Sequence, residues 1–132
     1  MLVYNGRVLI NSCSHSITIR LKHGEFITVP PSDLQIRLKS RFKVLEKVSG
    51  LEIAELELRD EYNSFKSFKL DYENKQFTFM GWRFDADTII ICSKIVAEYA
   101  KKMGIPDGIF AVPDNLKITN GRKYCLRLAF LK

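Results

Sequence analysis

Gly-containing tight turns separate short runs of alternating apolar and polar residues along much of this chain. Strand-like runs joined by such turns favour β-hairpins. Asn5-Gly6 is the strongest of these signals, because both residues accept positive φ angles; it predicts a hairpin tip between strands at 2–4 and 7–10. Ser49-Gly50 and Asn120-Gly121 predict two more tips. The chain is therefore expected to be rich in antiparallel strand pairs.

The same alternation predicts the register of one hairpin. Lys22-His23-Gly24 suits a three-residue loop with its glycine in the left-handed conformation. That loop sets Ile19 opposite Ile27 and Ile17 opposite Val29, so the apolar faces of the two strands agree. The register thus supports the turn assignment.

The middle of the chain predicts further strands, bounded by prolines and turns. Pro30-Pro31 should end the preceding strand, because proline cannot donate a hydrogen bond to a neighbouring strand. Apolar residues alternate with polar ones in three segments that follow, 34–44, 68–72 and 77–84, and 51–58 is a further segment after the Ser49-Gly50 turn. In the segment 77–84 the alternation changes phase near Met80-Gly81, which indicates a bulge or bend.

The last third of the chain adds one helix. Residues 88–92 are apolar and β-branched, which favours a buried strand over the start of a longer helix. Ser93 can cap a helix at about 93–103 that presents Ile95, Val96, Tyr99 and Met103 and stops at Gly104. A strand at 109–112 and a closing strand at 123–131 complete a strand-rich α+β domain.

A chain of 132 residues, 46% apolar and 27% charged, has the size and composition of a single globular domain, 1–132. Its longest uncharged apolar runs, such as 89–92, are far shorter than the roughly 20 residues of a membrane span. Residues 1–10 lack the apolar stretch of a signal peptide. Three scattered cysteines and two histidines provide neither a disulfide framework nor a closed metal site. A cytoplasmic protein with no membrane partner, metal or cofactor is therefore expected.

A row of cationic side chains is the most pointed chemical feature. In one strand Arg37, Lys39, Arg41 and Lys43 would share a face at a spacing of roughly 6.8 Å, twice the rise per residue. That spacing is comparable to the phosphate separation along a nucleic-acid strand, and the formal net charge of +6 also favours polyanions. Nucleic acid is therefore one candidate partner.

An acidic row offers the competing interpretation of these cations. If the chain turns back at Ser49-Gly50, Glu52, Glu55 and Glu57 run beside the basic row. With one bulge, Lys43 would face Glu55 and Arg41 would face Glu57. A solvated ladder of ion pairs is the favoured interpretation, and exposed pairs of this kind contribute only about 0–1 kcal/mol each.

Two polar segments could hold a smaller ligand. Residues 11–16 place an amide, a thiol and the imidazole of His15 between two strands, where His15 can act as a base or donate to a phosphate. Ser93-Lys94 lies where a helix N-terminus favours an anion. The favoured interpretations are structural: Asn11 and the serines satisfy backbone groups, and Ser93 only caps the helix. Thiol catalysis by Cys13 with His15 is disfavoured, because spacing alone does not make a nucleophile–base pair.

Four segments carry a family resemblance: VLINSCSHSITI at 8–19, EFITVPPS at 25–32, IIICSKIVAEYA at 89–100 and FAVPDN at 110–115. They resemble small uncharacterised proteins of phages and other prokaryotic viruses, which carry Asn-x-Thr-Pro-His, Pro-Pro-Ser, Ser-x-x-Val-Ala and Val-Pro-Asp. The resemblance covers the two ends of the chain and departs from the pattern at Ser14, where the family usually has proline.

The resemblance implies a viral or mobile-element origin and no established activity. It also implies where a shared site would lie, at the matching positions Asn11, His15, Ser93 and Asp114. Amide, imidazole, hydroxyl and carboxylate at these positions have the character of a small-ligand pocket.

These observations predict an accessory protein that acts by binding a phosphate-bearing partner, either nucleic acid through residues 37–43 or a nucleotide at His15 and Ser93. One alternative is a virion or assembly component, a homo-oligomer joined through strand edges. The other is a small hydrolase or nuclease that uses His15 with Asp114 or a metal.

Overall fold

The computed structural model describes residues 1–60 and 62–132, and it confirms a strand-rich α+β fold. One α-helix, α1 (Lys94–Lys102), and a short 3₁₀ helix (Phe65–Ser67) accompany the strands. In chain order the strands are β1 (Leu2–Tyr4), β2 (Arg7–Asn11), β3 (Ile17–Arg20), β4 (Phe26–Val29), β5 (Lys39–Val48), β6 (Leu51–Arg59), β7 (Lys69–Asp71), β8 (Gln76–Phe79), β9 (Trp82–Asp85), β10 (Ile89–Ile91), β11 (Phe110–Asp114), β12 (Lys117–Thr119), β13 (Arg122–Tyr124) and β14 (Arg127–Phe130).

A five-stranded sheet in the order β1-β2-β10-β11-β14 forms the centre of the domain. The three inner strands β2, β10 and β11 run parallel, and the edge strands β1 and β14 are antiparallel to their neighbours. A parallel neighbour requires a crossover connection, and α1 supplies it between β10 and β11. Every residue of β10 is buried, as predicted from its uninterrupted apolar sequence.

Alternate residues of the central strands supply two cores, one on each face of the sheet. Ile10, Ile90 and Phe110 pack on the face that is covered by α1, the 3₁₀ helix and β8. Their neighbours Leu9 and Ile91 pack on the opposite face, which the β3–β4 hairpin covers. This division follows directly from the two-residue period of side chains along a strand.

The structure confirms the predicted hairpins. Asn5 and Gly6 have φ angles of 49° and 78° and join β1 to β2. In the β3–β4 hairpin Ile19 pairs with Ile27 and Ile17 with Val29, in the predicted register. The positive φ angles are the physical reason why the turn residues were informative.

Three strand predictions were wrong. Residues 34–38 are not part of a strand: Leu34 is buried in the core, and β5 begins only at Lys39. Met80-Gly81 forms a two-residue hairpin turn between β8 and β9, with positive φ at both residues, and not a bulge. The closing strand is divided, because β13 pairs with β12 whereas β14 joins the central sheet beside β11.

The buried face of α1 matches the prediction in part, because Val96 is buried and Tyr99 packs against the core as predicted. The helix does begin after Ser93, but the side chains it buries are those of Val96, Ala97 and Ala100. Ile95 and Met103 are exposed. No helix in the described residues is long and apolar enough to cross a membrane.

Candidate functional site

Three of the four positions singled out by the family resemblance line a single cleft of about 570 Å³: His15, Ser93 and Asp114. They come from parts of the chain that are up to 99 residues apart in sequence. Apolar side chains form much of the remaining wall, among them Val112 and Leu131. The cleft therefore combines an apolar wall with a few convergent polar groups.

The parallel centre of the sheet explains why these residues converge. Asn11, Ile91 and Ala111 lie level with one another in β2, β10 and β11. His15, Ser93 and Asp114 lie at or just beyond the carboxyl ends of the same strands. In open sheets with parallel strands, ligands bind in the crevice outside these carboxyl ends.

Asn11 is not among the residues that line the cleft. It has no exposed surface, and its amide Nδ2 donates to the backbone carbonyls of His15 (2.8 Å) and Val29 (3.0 Å). Its Oδ1 accepts a hydrogen bond from the backbone N–H of Cys13 at 2.9 Å. Asn11 therefore shapes the 12–16 loop and positions His15, which is the structural role favoured above.

Ser93 occupies the N-cap of α1 with an extended backbone, and its Oγ accepts a hydrogen bond from the N–H of Val96 at 3.3 Å. The capping prediction is confirmed. The N–H groups of Lys94 and Ile95, in the first turn, have no acceptor within the helix and make its end electropositive. The side chain of Lys94 adds a full positive charge to the same wall of the cleft.

Another part of the wall has a second cation, Lys123, and a carboxylate, Asp114, that forms an ion pair with Arg127. Lys123 and Tyr124 reach the cleft from β13. Asp114 Oδ2 lies 3.5 Å from Nε of Arg127, so a neighbouring guanidinium offsets the charge of the only carboxylate among the described residues that line the cleft. The cleft is therefore cationic overall.

Tyr124 is held rigidly in this wall. Its ring packs edge-on against Phe26 at 5.3 Å between centroids. Its hydroxyl shares a hydrogen bond of 3.1 Å with Oγ1 of Thr119, and this bond lowers the pKa of Tyr124. Neither Lys123 nor Tyr124 was singled out from the sequence, because hairpin signals do not reveal how a distant hairpin docks on a sheet.

A second, smaller hollow of about 350 Å³ lies on the other side of the 12–16 loop. It is lined by Cys13, Gln35 and Arg37, among others, and shares His15 and Ser93 with the main cleft. Burial raises the pKa of the Cys13 thiol, the reverse of the shift that activates a nucleophilic cysteine. Within the described residues no group of three or more His, Cys, Asp or Glu side chains could hold a metal ion.

The basic row is arranged as the ion-pair ladder predicts. Lys43 lies opposite Glu55, with a bulge just beyond at Leu45. Arg41 Nε lies 2.7 Å from Glu57 Oε2, and this hydrogen bond lowers the pKa of Glu57.

Arg37 departs from the predicted row. It precedes β5 and lines the smaller hollow, so it does not share the strand face of Lys39, Arg41 and Lys43. The row of evenly spaced cations is therefore one residue shorter than the sequence suggested.

Comparison of the chain with protein-family models, with curated proteins and with solved structures gives no match. The resemblance to small viral proteins stays a prediction. Function must therefore be argued from the geometry of the cleft.

Proposed function

We propose that this protein is a non-enzymatic binding protein whose main cleft takes a small phosphate-bearing ligand of nucleotide size. The observation that carries the proposal is the convergence of His15, Ser93 and Asp114 on one cleft at the carboxyl ends of three parallel strands. Its volume, about 570 Å³, lies within the range of small-molecule sites, roughly 300–1,000 Å³.

Each part of the cleft suits a part of such a ligand. The first-turn N–H groups of α1, with Lys94 beside them, suit a phosphate. The apolar wall at Val112 and Leu131 suits the face of a base. Asp114 can accept hydrogen bonds from a sugar hydroxyl or a base amine.

Binding is favoured over hydrolysis for two physical reasons. The carboxylate that would assist His15 as a base, Asp114, is engaged by Arg127. The nearest thiol, Cys13, has a raised pKa and is a poor nucleophile. Hydrolysis by His15 would require that His15→Ala abolish turnover of a nucleotide substrate while the fold is retained.

The test measures binding of adenosine monophosphate, adenosine and inorganic phosphate by calorimetry and by thermal shift. Adenosine monophosphate at 100 times its Kd should stabilise the protein by about 2.7 kcal/mol, and adenosine should bind far more weakly. If nucleoside mono-, di- and triphosphates all fail to bind at a concentration of about 5 mM, the proposal is overturned, because a Kd above that value is weaker than that of most functional ligands.

A pair of variants separates binding from folding. Lys94→Gln/Lys123→Gln should weaken binding of the monophosphate at least about tenfold, since charge-assisted hydrogen bonds are worth about 1.5–3 kcal/mol. Lys22→Gln/Lys117→Gln removes the same charge at exposed positions outside the cleft and should leave the affinity unchanged. Equal affinity of the two variants would place the ligand elsewhere.

Self-association through the β5–β6 ribbon, residues 39–59, is the second candidate function. The two strands form a sheet of their own, and all ten residues of β5 are exposed. Phe42, Val44 and Leu56 lie on one face and are 74%, 45% and 49% exposed. A two-stranded sheet is marginally stable in water, so an apolar face of this kind favours contact with a second copy.

A further inference from the structure

Another cleft, of about 530 Å³, lies between the base of the β5–β6 ribbon and helix α1, and we call it the ribbon-base cleft. No residue that the structure describes lines both this cleft and the main cleft described above. Its polar wall is built mainly from cations: Lys39, Arg41, Arg59 and Lys66. Tyr99 and Met103 of the helix and its C-cap form its apolar floor.

The register of the ribbon concentrates these cations. Lys39 and Arg59 are directly opposite one another, and Arg41 follows two residues along the same face. Lys66, from the 3₁₀ helix, brings a further positive charge to the same cleft.

The carboxylates nearby offset only part of this charge. Glu57 pairs with Arg41. Asp60, the only carboxylate that lines the cleft among the described residues, turns Oδ2 to the backbone N–H of Phe65 at 2.8 Å. Arg59 and Lys66 have no ion-pair partner within the part of the chain that the structure describes. The described residues of the cleft thus include two cations that form no ion pair, Arg59 and Lys66, and one carboxylate, Asp60.

The floor offers a surface for stacking. Tyr99 is half-buried, and its ring is supported by Phe65 at 5.2 Å between centroids. An aromatic ring in a cleft that cations line is the arrangement with which proteins bind single-stranded nucleic acid, since any base can stack on it.

We propose that the ribbon-base cleft binds single-stranded nucleic acid, with one base stacked on Tyr99 and the flanking phosphates held by Arg59 and Lys66. This site goes beyond the proposed nucleotide cleft and does not depend on it. Two cations of the predicted basic row, Lys39 and Arg41, line this cleft. They do so together with Arg59, Lys66 and Tyr99, which were not singled out as site residues from the sequence.

The test is fluorescence anisotropy with labelled ten-nucleotide oligothymidylate at several salt concentrations. Wild-type protein should bind with micromolar affinity at about 50 mM salt, and log Kd should vary steeply with log salt, since phosphate contacts release counterions. No binding at about 100 µM protein and 50 mM salt overturns the proposal, and so does tighter binding of duplex DNA, because a paired base cannot stack on a protein ring.

Charge variants test the phosphate contacts. Arg59→Gln/Lys66→Gln should weaken binding at least about tenfold and reduce the salt slope by about 1.4, the value for two phosphates on a single strand. Lys22→Gln/Lys117→Gln is the matched control and should retain the wild-type slope. Equal slopes for the two variants overturn the assignment.

Ring variants test stacking separately. Tyr99→Leu should weaken binding at least fivefold while the salt slope is unchanged, because stacking releases no counterions. Tyr99→Phe keeps the ring and should restore wild-type affinity. If Tyr99→Leu binds as tightly as Tyr99→Phe, with both variants folded by circular dichroism, the stacking role is excluded.

Discussion

Asn11 lies at the end of β2, and a single amide there satisfies three backbone groups. The bonds run to His15, Val29 and Cys13 at 2.8–3.0 Å. An aliphatic side chain at this position would leave buried donors and acceptors without partners. From the sequence, the polar 11–16 segment was correctly interpreted as one whose side chains form hydrogen bonds with backbone groups. Its role in shaping a cleft could not be predicted from one segment alone.

Asn11→Ala should therefore lower the free energy of unfolding by about 3 kcal/mol, since each unsatisfied buried group costs about 1–3 kcal/mol. Urea unfolding followed by circular dichroism measures this change. Ser14→Ala, at an exposed position three residues on, is the control and should change stability by less than about 0.5 kcal/mol. A loss below about 1 kcal/mol at Asn11 would contradict its structural role.

The cysteines yield a prediction about pH. Burial raises the pKa of Cys92 to about 12, whereas the ordinary value is 9.0. The folded protein thus holds a proton that the unfolded chain loses. Stability from this thiol is fully present below pH 9 and is lost as the pH rises from 9 towards 12. In Cys92→Ala, the free energy of unfolding should therefore fall less steeply with pH above pH 9 than in the wild type. An equally steep fall in the two proteins would contradict this prediction.

Thiol labelling checks the burial of the cysteines independently. Cys92 and Cys125 are buried, whereas Cys13 is half-exposed. A thiol reagent should modify one cysteine, Cys13, in the native protein and all three in denaturant, because the reagent must reach the sulfur. Rapid labelling of three native thiols would contradict the fold.

At the scale of elements, local signals predicted hairpins and failed for longer connections. Asn5-Gly6 specified its turn through backbone conformation, and the β5–β6 register followed from charge and alternation. The parallel pairing of β2 with β10 joins residues about 80 apart, and no local signal encodes it. Residues 34–38 alternate like a strand but do not form one. The side chain of Leu34 is buried in the core, whereas no neighbouring strand pairs with its backbone.

Helix α1 provides the prediction at this scale. Ser93→Ala should lower the free energy of unfolding by about 1 kcal/mol, because the Val96 N–H loses its acceptor. Ser93→Asp retains an N-cap acceptor and should preserve stability. Chemical denaturation of the two variants measures the difference. If Ser93→Ala is as stable as the wild type, the cap contributes nothing.

At the scale of the whole molecule, the domain separates into a packed body and an exposed ribbon. The body has two cores that enclose the central sheet. The ribbon, by contrast, presents Phe42, Val44 and Leu56 to solvent. The sequence predicted the hairpin itself but not its isolation from the body, since alternation shows which face is apolar and not what covers it.

Sedimentation velocity tests whether a second copy covers that face. If it does, the weight-average sedimentation coefficient should rise with concentration between about 5 and 200 µM, as expected for a weak interface. Phe42→Thr should reduce the association while the body stays folded, because that side chain is 74% exposed and makes little intramolecular contact. A coefficient that stays at the monomer value at every concentration would exclude this second candidate function.

The central claim is that the main cleft recognises phosphate at the N-terminus of α1, and Ser93→Asp tests it most directly. Calorimetric titration with adenosine monophosphate should give binding to the wild type and at least about a tenfold loss in Ser93→Asp, because a carboxylate at the N-cap repels the phosphate while it still caps the helix. Equal affinity of wild type and Ser93→Asp, both with wild-type stability, would contradict the account.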